Sequence, residues 1–372
     1  MNIAFIIYDY NYHGGAQKTA TIAQHLQSQG HSVDIIVIRC RGGDNEKKKR
    51  PKHFSNILDL NATGFFNGIF RLIKIFRNSQ YNAYISIGPY SNISTGLAKF
   101  LCRGTFPLIG SENFAKSPLI GNYTRLYFRL LLPLFWLSYN QLNGLLFVTD
   151  RLRLEFLNKN SWHPSRCVTI YNPVKFSKKN FKQNKKKYNT SGLTFLGVGI
   201  LEQRKRFDLL IRAFSKVANN KDKLLIAGEG SLGNELKKLV NQLGLEQQVN
   251  FLGYHSDIQS LMKKSDILVH TSNSEAFGMV LAEGLATGMQ VVSTNSFSGP
   301  AEILGNGRYG FLAEVDNLGS IIEALKLAIS SPKSQEIIFE GVLKFSVNSI
   351  ADKYVKFISA IIANKGHLNE AL

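Results

Sequence analysis

Short apolar runs alternate with segments of helical periodicity, and the alternation restarts in the second half of the chain. The first run, residues 2–8, precedes the segment HGGAQK, which predicts a glycine turn, and then a helix over 19–29 and a second strand over 31–38. Strand, turn, helix and strand in this order form the βαβ unit of a parallel sheet. The pattern therefore predicts an α/β fold.

The remaining predicted strands fall into two groups. They lie over residues 84–87, 107–109 and 144–148, and then over 193–197, 223–227, 249–252, 267–270 and 290–293. A lysine- and asparagine-rich stretch between the groups predicts a basic linker over 176–192. The 372 residues, 44% hydrophobic, suffice for two cores. We expect two Rossmann-like, doubly wound parallel-sheet domains over 1–175 and 193–348, with a ligand-binding cleft between them.

The net charge of +19 indicates an anionic partner: nucleic acid, an acidic lipid surface or a phosphorylated substrate. Two aromatic, basic stretches, residues 63–80 and 119–137, resemble amphipathic helices that lie on anionic lipid. The second is interrupted by arginines and by Pro133, so neither is expected to span a bilayer. The alternative is that both pack on the sheets as ordinary helices with solvated basic rims.

Neither a disulfide framework nor a metal site is predicted. Cys40, Cys102 and Cys167 are odd in number and lack CxxC spacing, so we interpret them as structural thiols. The histidines show no HxxxH or HExxH spacing, and no DxD-like pair ends a predicted strand.

Met1-Asn2 lacks the basic start of a signal peptide, so a cytoplasmic chain is expected.

The segment SNSEAFGMVLAEGLAT, residues 272–287, carries the sharpest chemical signal. Glu275 is predicted in a loop before a helix that Gly278 begins and Gly288 ends, and Glu283 lies about one and a half turns inside it. A helix N-terminus attracts a diphosphate, and carboxylates accept hydrogen bonds from sugar hydroxyls. The alternative, a helix-start acid and a surface glutamate, is less favoured because apolar residues flank Glu283.

A GxGxxG pattern occurs at Gly228, Gly230 and Gly233, after one predicted strand and before a helix. Such a pattern is typical of dinucleotide-binding sites. The next strand ends in Gly253 and Tyr254 rather than in the ribose-binding acid of such a site. We therefore interpret the pattern as a loop against a nucleotide base, without NAD.

Several segments together resemble one family. The strongest are SEAFGMVLAEGLATG, SGPAEIL (298–304) and GRYGFL (307–312); weaker ones are HGGAQK, TIYNPV (169–174), GILEQRKRFDLLIRAF (199–214) and IAGEGSLGNEL (226–236). In order and spacing they resemble the retaining glycosyltransferases of family 4 (glycosyl transferases group 1), which includes sucrose synthases, phosphatidylinositol mannosyltransferases and many O-antigen and capsule enzymes. The resemblance covers nearly the whole chain.

The resemblance implies a GT-B fold that transfers a hexose or N-acetylhexosamine from a nucleotide-sugar, most simply a UDP-sugar. The acceptor would be a saccharide or a lipid-linked saccharide of surface-polysaccharide assembly, and the anomeric configuration would be retained. No metal or other cofactor is implied. The enzyme would work at the inner face of the cytoplasmic membrane as a peripheral protein. A C-terminal helix, residues 349–372, would cross back to the first domain.

The resemblance also implies site residues. Glu283 would bind the ribose hydroxyls; Glu275, contacting a hydroxyl of the transferred sugar, and Lys205, contacting the diphosphate, would be the catalytic residues. The remaining donor-site residues would be Phe277, Gly278, Met279, Arg204, Gly199, Gly228 and Gly230. An acceptor and phosphate loop would contain Gly14, Gly15, Glu112 and Asn113, the glycines permitting close approach of the ligand.

This chain departs from the family at two positions. Ile200 stands where many relatives have arginine, so Lys205 is left with Arg204 or Arg206 as the possible diphosphate cations. Asn113 stands where many relatives have histidine. Glu112 and Asn113 would then either hydrogen-bond sugar hydroxyls or cap a loop.

Two other functions compete with this interpretation. A retaining glycosidase also uses two carboxylates, but they must lie about 5 Å apart across a sugar. The alternative of another class is a non-catalytic anionic-lipid or nucleic-acid binding protein on the same scaffold, which the charge would favour. No RRM, KH or helix-turn-helix signature is present, so no specific nucleic acid is expected as a partner.

Overall fold

The computed structural model describes residues 1–9, 13–39, 56–78, 80–113, 126–176 and 192–363. The chain divides into two compact units. Unit 1 comprises Met1–Pro173 and Val347–Leu372, and unit 2 comprises Val174–Ser346. Of the predicted linker, residues 177–191 lie outside the described residues.

The described strands of unit 1 form a seven-stranded, wholly parallel sheet in the order β3-β2-β1-β4-β5-β6-β7. The strands are β1 (Asn2–Ile7), β2 (Ser32–Val37), β3 (Ile57–Asp59), β4 (Ala83–Ile87), β5 (Leu108–Glu112), β6 (Gly144–Phe147) and β7 (Cys167–Thr169). The helices are α1 (His13–Ser28), α2 (Phe65–Asn78), α3 (Pro89–Cys102), α4 (Leu126–Tyr139), α5 (Asp150–Lys159) and, from the end of the chain, α13 (Val347–Ile362), with a 3₁₀ turn at Pro164–Arg166.

Helices cover both faces of this sheet, which explains why its central strands are continuously apolar rather than alternating. Phe5 and Ile85 are fully buried in one core cluster with Leu26 of α1. The same cluster contains Tyr354 and Phe357 of α13, so the C-terminal helix packs within unit 1 beside α1.

The main sheet of unit 2 has six parallel strands in the order β10-β9-β8-β11-β13-β15, and β12 pairs with β14 in a separate parallel ribbon. Its strands are β8 (Thr194–Val198), β9 (Lys223–Ala227), β10 (Val249–Gly253), β11 (Ile267–His270), β12 (Ser274–Glu275), β13 (Gln290–Thr294), β14 (Phe297–Ser298) and β15 (Phe311–Ala313). Its helices are α6 (Phe207–Val217), α7 (Gly233–Gln242), α8 (Ile258–Lys264), α9 (Met279–Ala286), α10 (Gly299–Ile303), α11 (Leu318–Ser330) and α12 (Gln335–Leu343), with 3₁₀ turns at Gln203–Lys205 and Gly305–Gly307.

In both sheets the first strand of the unit lies near the middle. The next two strands follow on one side of it and the later strands of the sheet on its other side, which is the Rossmann strand order. The prediction of two parallel-sheet α/β units is therefore confirmed. In such sheets ligands bind at the carboxyl ends of the strands, next to the point where the strand order changes side. That edge lies after β1, β4 and β5 in unit 1 and after β8, β11 and β13 in unit 2.

Two local predictions were wrong. The segment HGGAQK is not a turn, because α1 begins at His13 and includes Gly14 and Gly15. Glycine costs a helix about 1 kcal/mol per residue, but the buried face of α1 stabilises the helix beyond its own propensity. Strand β5 runs past residue 109 to Glu112, because residues 109–112 continue the pairing with β6. Pro133 lies inside α4, which continues to Tyr139.

The predicted membrane-facing segments differ in how far the structure describes them. Helix α2 falls within residues 63–80; in the second segment, residues 119–125 lie outside the described part of the chain.

Cys167 is buried and Cys102 partly buried, both as free thiols, and Cys40 lies outside the described residues.

Candidate functional site

A cation and a carboxylate meet at the carboxyl edge of the sheet in unit 2. Lys205 ends the 3₁₀ turn that follows β8, and its ammonium donates a hydrogen bond to Oε1 of Glu275 in β12. His270, the last residue of β11, places Nε2 at 3.2 Å from the same oxygen. The adjacent strands β11 and β12 and a turn that lies 70 residues before Glu275 thus converge on a single carboxylate oxygen.

The loop carrying Lys205 is fastened by side chains that follow β11. Thr271 Oγ1 donates to the carbonyl oxygens of Lys205 and Arg206 at 3.0 and 2.8 Å. Ser272 Oγ donates to the carbonyl oxygen of Arg204 at 3.0 Å. Because these hydroxyls bond to main-chain groups, they fix the path of the loop itself and bring Lys205 to Glu275.

The surroundings of Glu275 keep it ionised. Burial alone would raise the pKa of the carboxyl, but the hydrogen bond from His270 and the charge and hydrogen bond of Lys205 together lower it well below its usual range. Burial lowers the pKa of His270. The imidazole is therefore neutral at pH 7, and its Nε2–H donates to the carboxylate while Lys205 supplies the positive charge.

Glu283 is the second acid of the predicted pair and lies in the second turn of α9. Among the described residues, no hydrogen bond or ion pair engages its carboxyl group. Burial raises its pKa. A partly buried carboxyl group without a protein partner, next to a helix start, is a typical feature of a ligand-binding site.

The start of α9 is built by a close approach of two chain segments. Gly278 precedes the helix with a φ of 92°, in the left-handed region that favours glycine, and Met279 is the first helical residue. Phe277 is buried with its ring edge-on to Phe345 at 5.7 Å. A Cβ on Gly299 would overlap the Phe277 carbonyl oxygen, so that glycine is required for this approach.

The predicted glycines after β8 and β9 lie where two loops cross backbone to backbone. Gly199 donates its N–H to the carbonyl oxygen of Ala227 at 3.0 Å. A Cβ on Gly228 would overlap the Gly199 carbonyl oxygen, and one on Gly230 would overlap that of Leu201. These glycines therefore shape the loop on which Lys205 stands.

The three candidate cations after β8 have different surroundings. Arg204 is partly exposed, with Nη1 at 3.7 Å from Oε1 of Glu275. Arg206 turns elsewhere, because its guanidinium binds Asp208, at 3.0 Å, and Asp316. Its hydrogen bond to Asp208 raises its pKa. Lys205 and Arg204 therefore remain as the cations beside Glu275.

The predicted acceptor-side residues of unit 1 lie at and just after the end of β5 and at the start of α1. Glu112 ends β5 and is fully buried, and its Oε1 accepts hydrogen bonds from Tyr139 and, at 3.0 Å, from Asn92. The next residue, Asn113, is only partly buried, and its Oδ1 accepts from Lys18 Nζ at 3.1 Å and from Ser111 Oγ at 3.0 Å. Gly14 and Gly15, predicted in the same loop, lie in the first turn of α1.

Within the described ranges, no group of three or more His, Cys, Asp and Glu side chains is placed to hold a metal ion. In the same part of the chain, no helix is long and apolar enough to cross a bilayer.

Helix α2 has one buried face and one exposed aromatic, basic face. Ile69 and Leu72 are buried in unit 1. Phe66 and Phe70, four residues apart, are 71% and 68% exposed, and Lys74 continues the same stripe. Exposed phenylalanines at this density exceed what packing on a sheet requires.

Sequence reasoning missed His270, Thr271 and Ser272, the residues that orient Glu275 and Lys205. All three directly follow or end the buried strand β11, and they are buried polar residues. Polar residues at the carboxyl end of a parallel strand, immediately before the predicted acid pair, are the signal that could have identified them.

Comparisons with known proteins first define the fold. Anabaena HepE, solved in complex with UDP, superposes with a TM-score of 0.79 at 18% identity, covering 97% of this chain and 100% of HepE. The fold is therefore that of the two-domain GT-B glycosyltransferases.

The sequence comparisons then identify the family. The model of the glycosyl transferases group 1 matches residues 178–341, and the model of glycosyltransferase family 4 matches residues 12–178. With both halves matched, the chain belongs to this glycosyltransferase family.

Two curated relatives come from Campylobacter jejuni. The N-acetylgalactosamine-N,N'-diacetylbacillosaminyl-diphospho-undecaprenol 4-alpha-N-acetylgalactosaminyltransferase is 35% identical over 182 residues, 48% of this chain and 49% of that relative. The chain thus matches about half the length of this relative. An alpha-1,4-N-acetyl-D-galactosaminyltransferase, whose name specifies a GalNAc-containing saccharide on diphospho-undecaprenol, is 24% identical over 375 residues, 97% of this chain and 99% of that relative.

Proposed function

We propose that the protein is a retaining glycosyltransferase that moves a hexose or N-acetylhexosamine from a UDP-sugar to a saccharide or lipid-linked acceptor. The observation that carries the proposal is the contact of Lys205 with Glu275 at the carboxyl edge of the unit 2 sheet. A cation beside an ionised carboxylate suits a donor with an anionic diphosphate next to a hydroxyl-rich sugar. The names of the relatives support the choice of donor and acceptor.

In this proposal, donor binding separates the Lys205–Glu275 pair. The diphosphate takes the ammonium of Lys205 and the first N–H groups of α9, and a sugar hydroxyl donates to Glu275. Glu283, which has no partner among the described residues, accepts hydrogen bonds from the ribose hydroxyls. Its burial makes such bonds stronger than they would be in water. Arg204 adds a second cation on the exposed side of Glu275.

The reaction needs no protein nucleophile. The bond between the anomeric carbon and the diphosphate oxygen breaks, and the acceptor oxygen forms a bond to that carbon from the same face. The acceptor proton moves to the departing diphosphate, so the products are the nucleoside diphosphate and a glycoside with retained configuration. Catalysis then consists of positioning and of stabilising the leaving diphosphate, without a metal.

The donor site is tested by thermal shift with UDP-, GDP- and ADP-sugars in buffer containing EDTA. A ligand that binds only the folded protein raises the melting temperature. We expect a shift with a UDP-sugar that is lost in Glu283→Ala and kept in Lys216→Ala, a control on the exposed side of α6. Stabilisation by polyanions with no response to any nucleotide-sugar would favour the non-catalytic alternative.

The catalytic role of Lys205 is tested by steady-state kinetics. Removing one group that stabilises the leaving diphosphate is expected to lower kcat about a hundredfold, or about 3 kcal/mol. Lys205→Ala should show this loss while Lys216→Ala does not. An unchanged kcat/KM in Lys205→Ala would refute the assignment.

We also propose that the protein lies on the cytoplasmic face of an anionic membrane through the exposed face of α2. Phe66 and Phe70 would enter the headgroup region while Lys74 contacts anionic lipid. Cosedimentation with phosphatidylglycerol-containing vesicles, compared with neutral vesicles, measures this binding. Replacing both phenylalanines by serine should abolish it, and equal recovery with both vesicle types would refute it.

A further inference from the structure

Lys18 is a lysine buried inside unit 1 that the proposed reaction does not use. It lies on α1, one residue before Thr19 and two before Ala20, and it is 4% exposed. Lysine is almost never this buried unless it is paired. Its Nζ donates to Oδ1 of Asn113 at 3.1 Å, directly after β5. The ammonium group therefore lies at the carboxyl edge of the unit 1 sheet, where parallel sheets bind ligands.

No carboxylate balances this charge within the part of the chain that the structure describes. Lys18 forms no ion pair there, and the hydrogen bond to Asn113 is its only polar contact. Of the acids at the neighbouring strand ends, Asp9 forms no ion pair with it, and Glu112 is engaged by Asn92 and Tyr139. Burial accordingly lowers the pKa of Lys18 to about 7.

Asn113 contacts the buried lysine and is itself only partly buried. Its Oδ1 accepts from both Lys18 Nζ and Ser111 Oγ, which fixes the amide orientation. The amide nitrogen, a donor only, then points away from these two groups, and the residue is only partly buried. A side-chain amide donor beside a buried lysine is suited to an anionic oxygen and not to a cation.

We propose that Asn113 and Lys18 form a binding site for a phosphate or diphosphate group at the carboxyl end of β5. The anion contacts the amide of Asn113, and Lys18 takes up a proton behind it to balance the charge. The natural ligand is the diphosphate of a lipid-linked acceptor, an identification that rests on the proposed function.

The site is tested by titrating inorganic pyrophosphate into the full-length protein saturated with UDP, which occupies the donor site. Calorimetry in two buffers of different ionisation enthalpy gives the protons taken up on binding. At pH 8 the wild type should take up nearly one proton per anion more than Lys18→Met, because a lysine of pKa near 7 is about nine-tenths neutral there. Above pH 7 the Kd of the wild type for pyrophosphate should rise more steeply with pH than that of Lys18→Met, by about a further tenfold for each pH unit.

Equal proton uptake and equal pH dependence of Kd in the wild type and Lys18→Met would overturn the proposal. Asn113→Leu provides a second variant that leaves the lysine in place, and it should weaken pyrophosphate binding at least tenfold. Lys205→Ala separates this site from the proposed donor site, because it should impair use of the UDP-sugar while the Lys18-dependent proton uptake persists.

The source of the phosphate group is distinguished by a second ligand. Farnesyl diphosphate should bind more tightly than pyrophosphate if the site takes a lipid-linked diphosphate, and both should depend on Lys18. Equal affinities that depend on Lys18 would support an anion site for free diphosphate. Binding of both ligands without dependence on Lys18 or Asn113 would refute the site.

Discussion

The buried charge of Lys18 predicts a measurable dependence of stability on pH. The pKa falls from 10.5 to about 7 on folding because burial disfavours the ammonium form. Between these values the unfolded chain binds one proton more than the folded chain, so the free energy of unfolding rises by about 1.4 kcal/mol for each pH unit. The burial of Lys18 therefore lowers the free energy of unfolding by an amount that depends on pH. This penalty is absent above pH 10.5, grows as the pH falls and is complete below about pH 7, where it amounts to about 5 kcal/mol.

Lys18→Met removes this penalty while keeping most of the apolar volume of the side chain. At pH 7 the variant should therefore be more stable than the wild type. The difference between their free energies of unfolding should narrow by about 2 kcal/mol between pH 7.5 and 9.0. Comparing the two proteins at each pH cancels the titration of all other groups.

The measurement is urea unfolding followed by tryptophan fluorescence. The two tryptophans, Trp136 and Trp162, both belong to unit 1, so their emission reports the unit that contains Lys18. Lys356→Met, on the exposed side of α13, is the matched control for replacing a lysine of unit 1 by methionine. A difference between wild type and Lys18→Met that stays constant with pH would show that the ammonium is stably charged in the folded protein and would refute the argument.

Three further predictions concern other parts of the molecule. His270→Leu removes a hydrogen bond that holds the pKa of Glu275 low, so the acid limb of the kcat/KM profile should move to higher pH; an unmoved limb would contradict this role. Gly228→Ala should lower the urea midpoint of unit 2, since the added Cβ overlaps a carbonyl oxygen, and circular dichroism would detect the change. Phe70→Ser alone should weaken binding to anionic vesicles without lowering the melting temperature, because this ring is exposed.

Most of the strands could be predicted from the sequence, since buried parallel strands are apolar. The helix start beside the acid pair could also be predicted, since Gly278 precedes a helix. The end of β5 could not, because Gly110, Ser111 and Glu112 are polar or small and resemble a turn. Their strand geometry comes from pairing with β6, a contact between residues about 35 positions apart. Local propensity carries no information about such a contact.

The site shows the same division. The acid pair and Lys205 were predicted from motifs, but His270 was not, because a histidine at a strand end has no distinctive spacing. Its importance depends on the distance to Glu275, which only the fold determines. Likewise, nothing in the sequence HGGAQK shows that Lys18 is buried beside Asn113, since the two residues lie 95 positions apart.

The hydroxyl groups of Thr271 and Ser272 hold the loop of Lys205 by its main chain before any ligand arrives. The conformational entropy of that loop is therefore lost when the protein folds rather than when the nucleotide binds. Truncating these hydroxyls would return disorder to the free protein, so the change should appear as a more unfavourable binding entropy while the contacts in the complex remain the same.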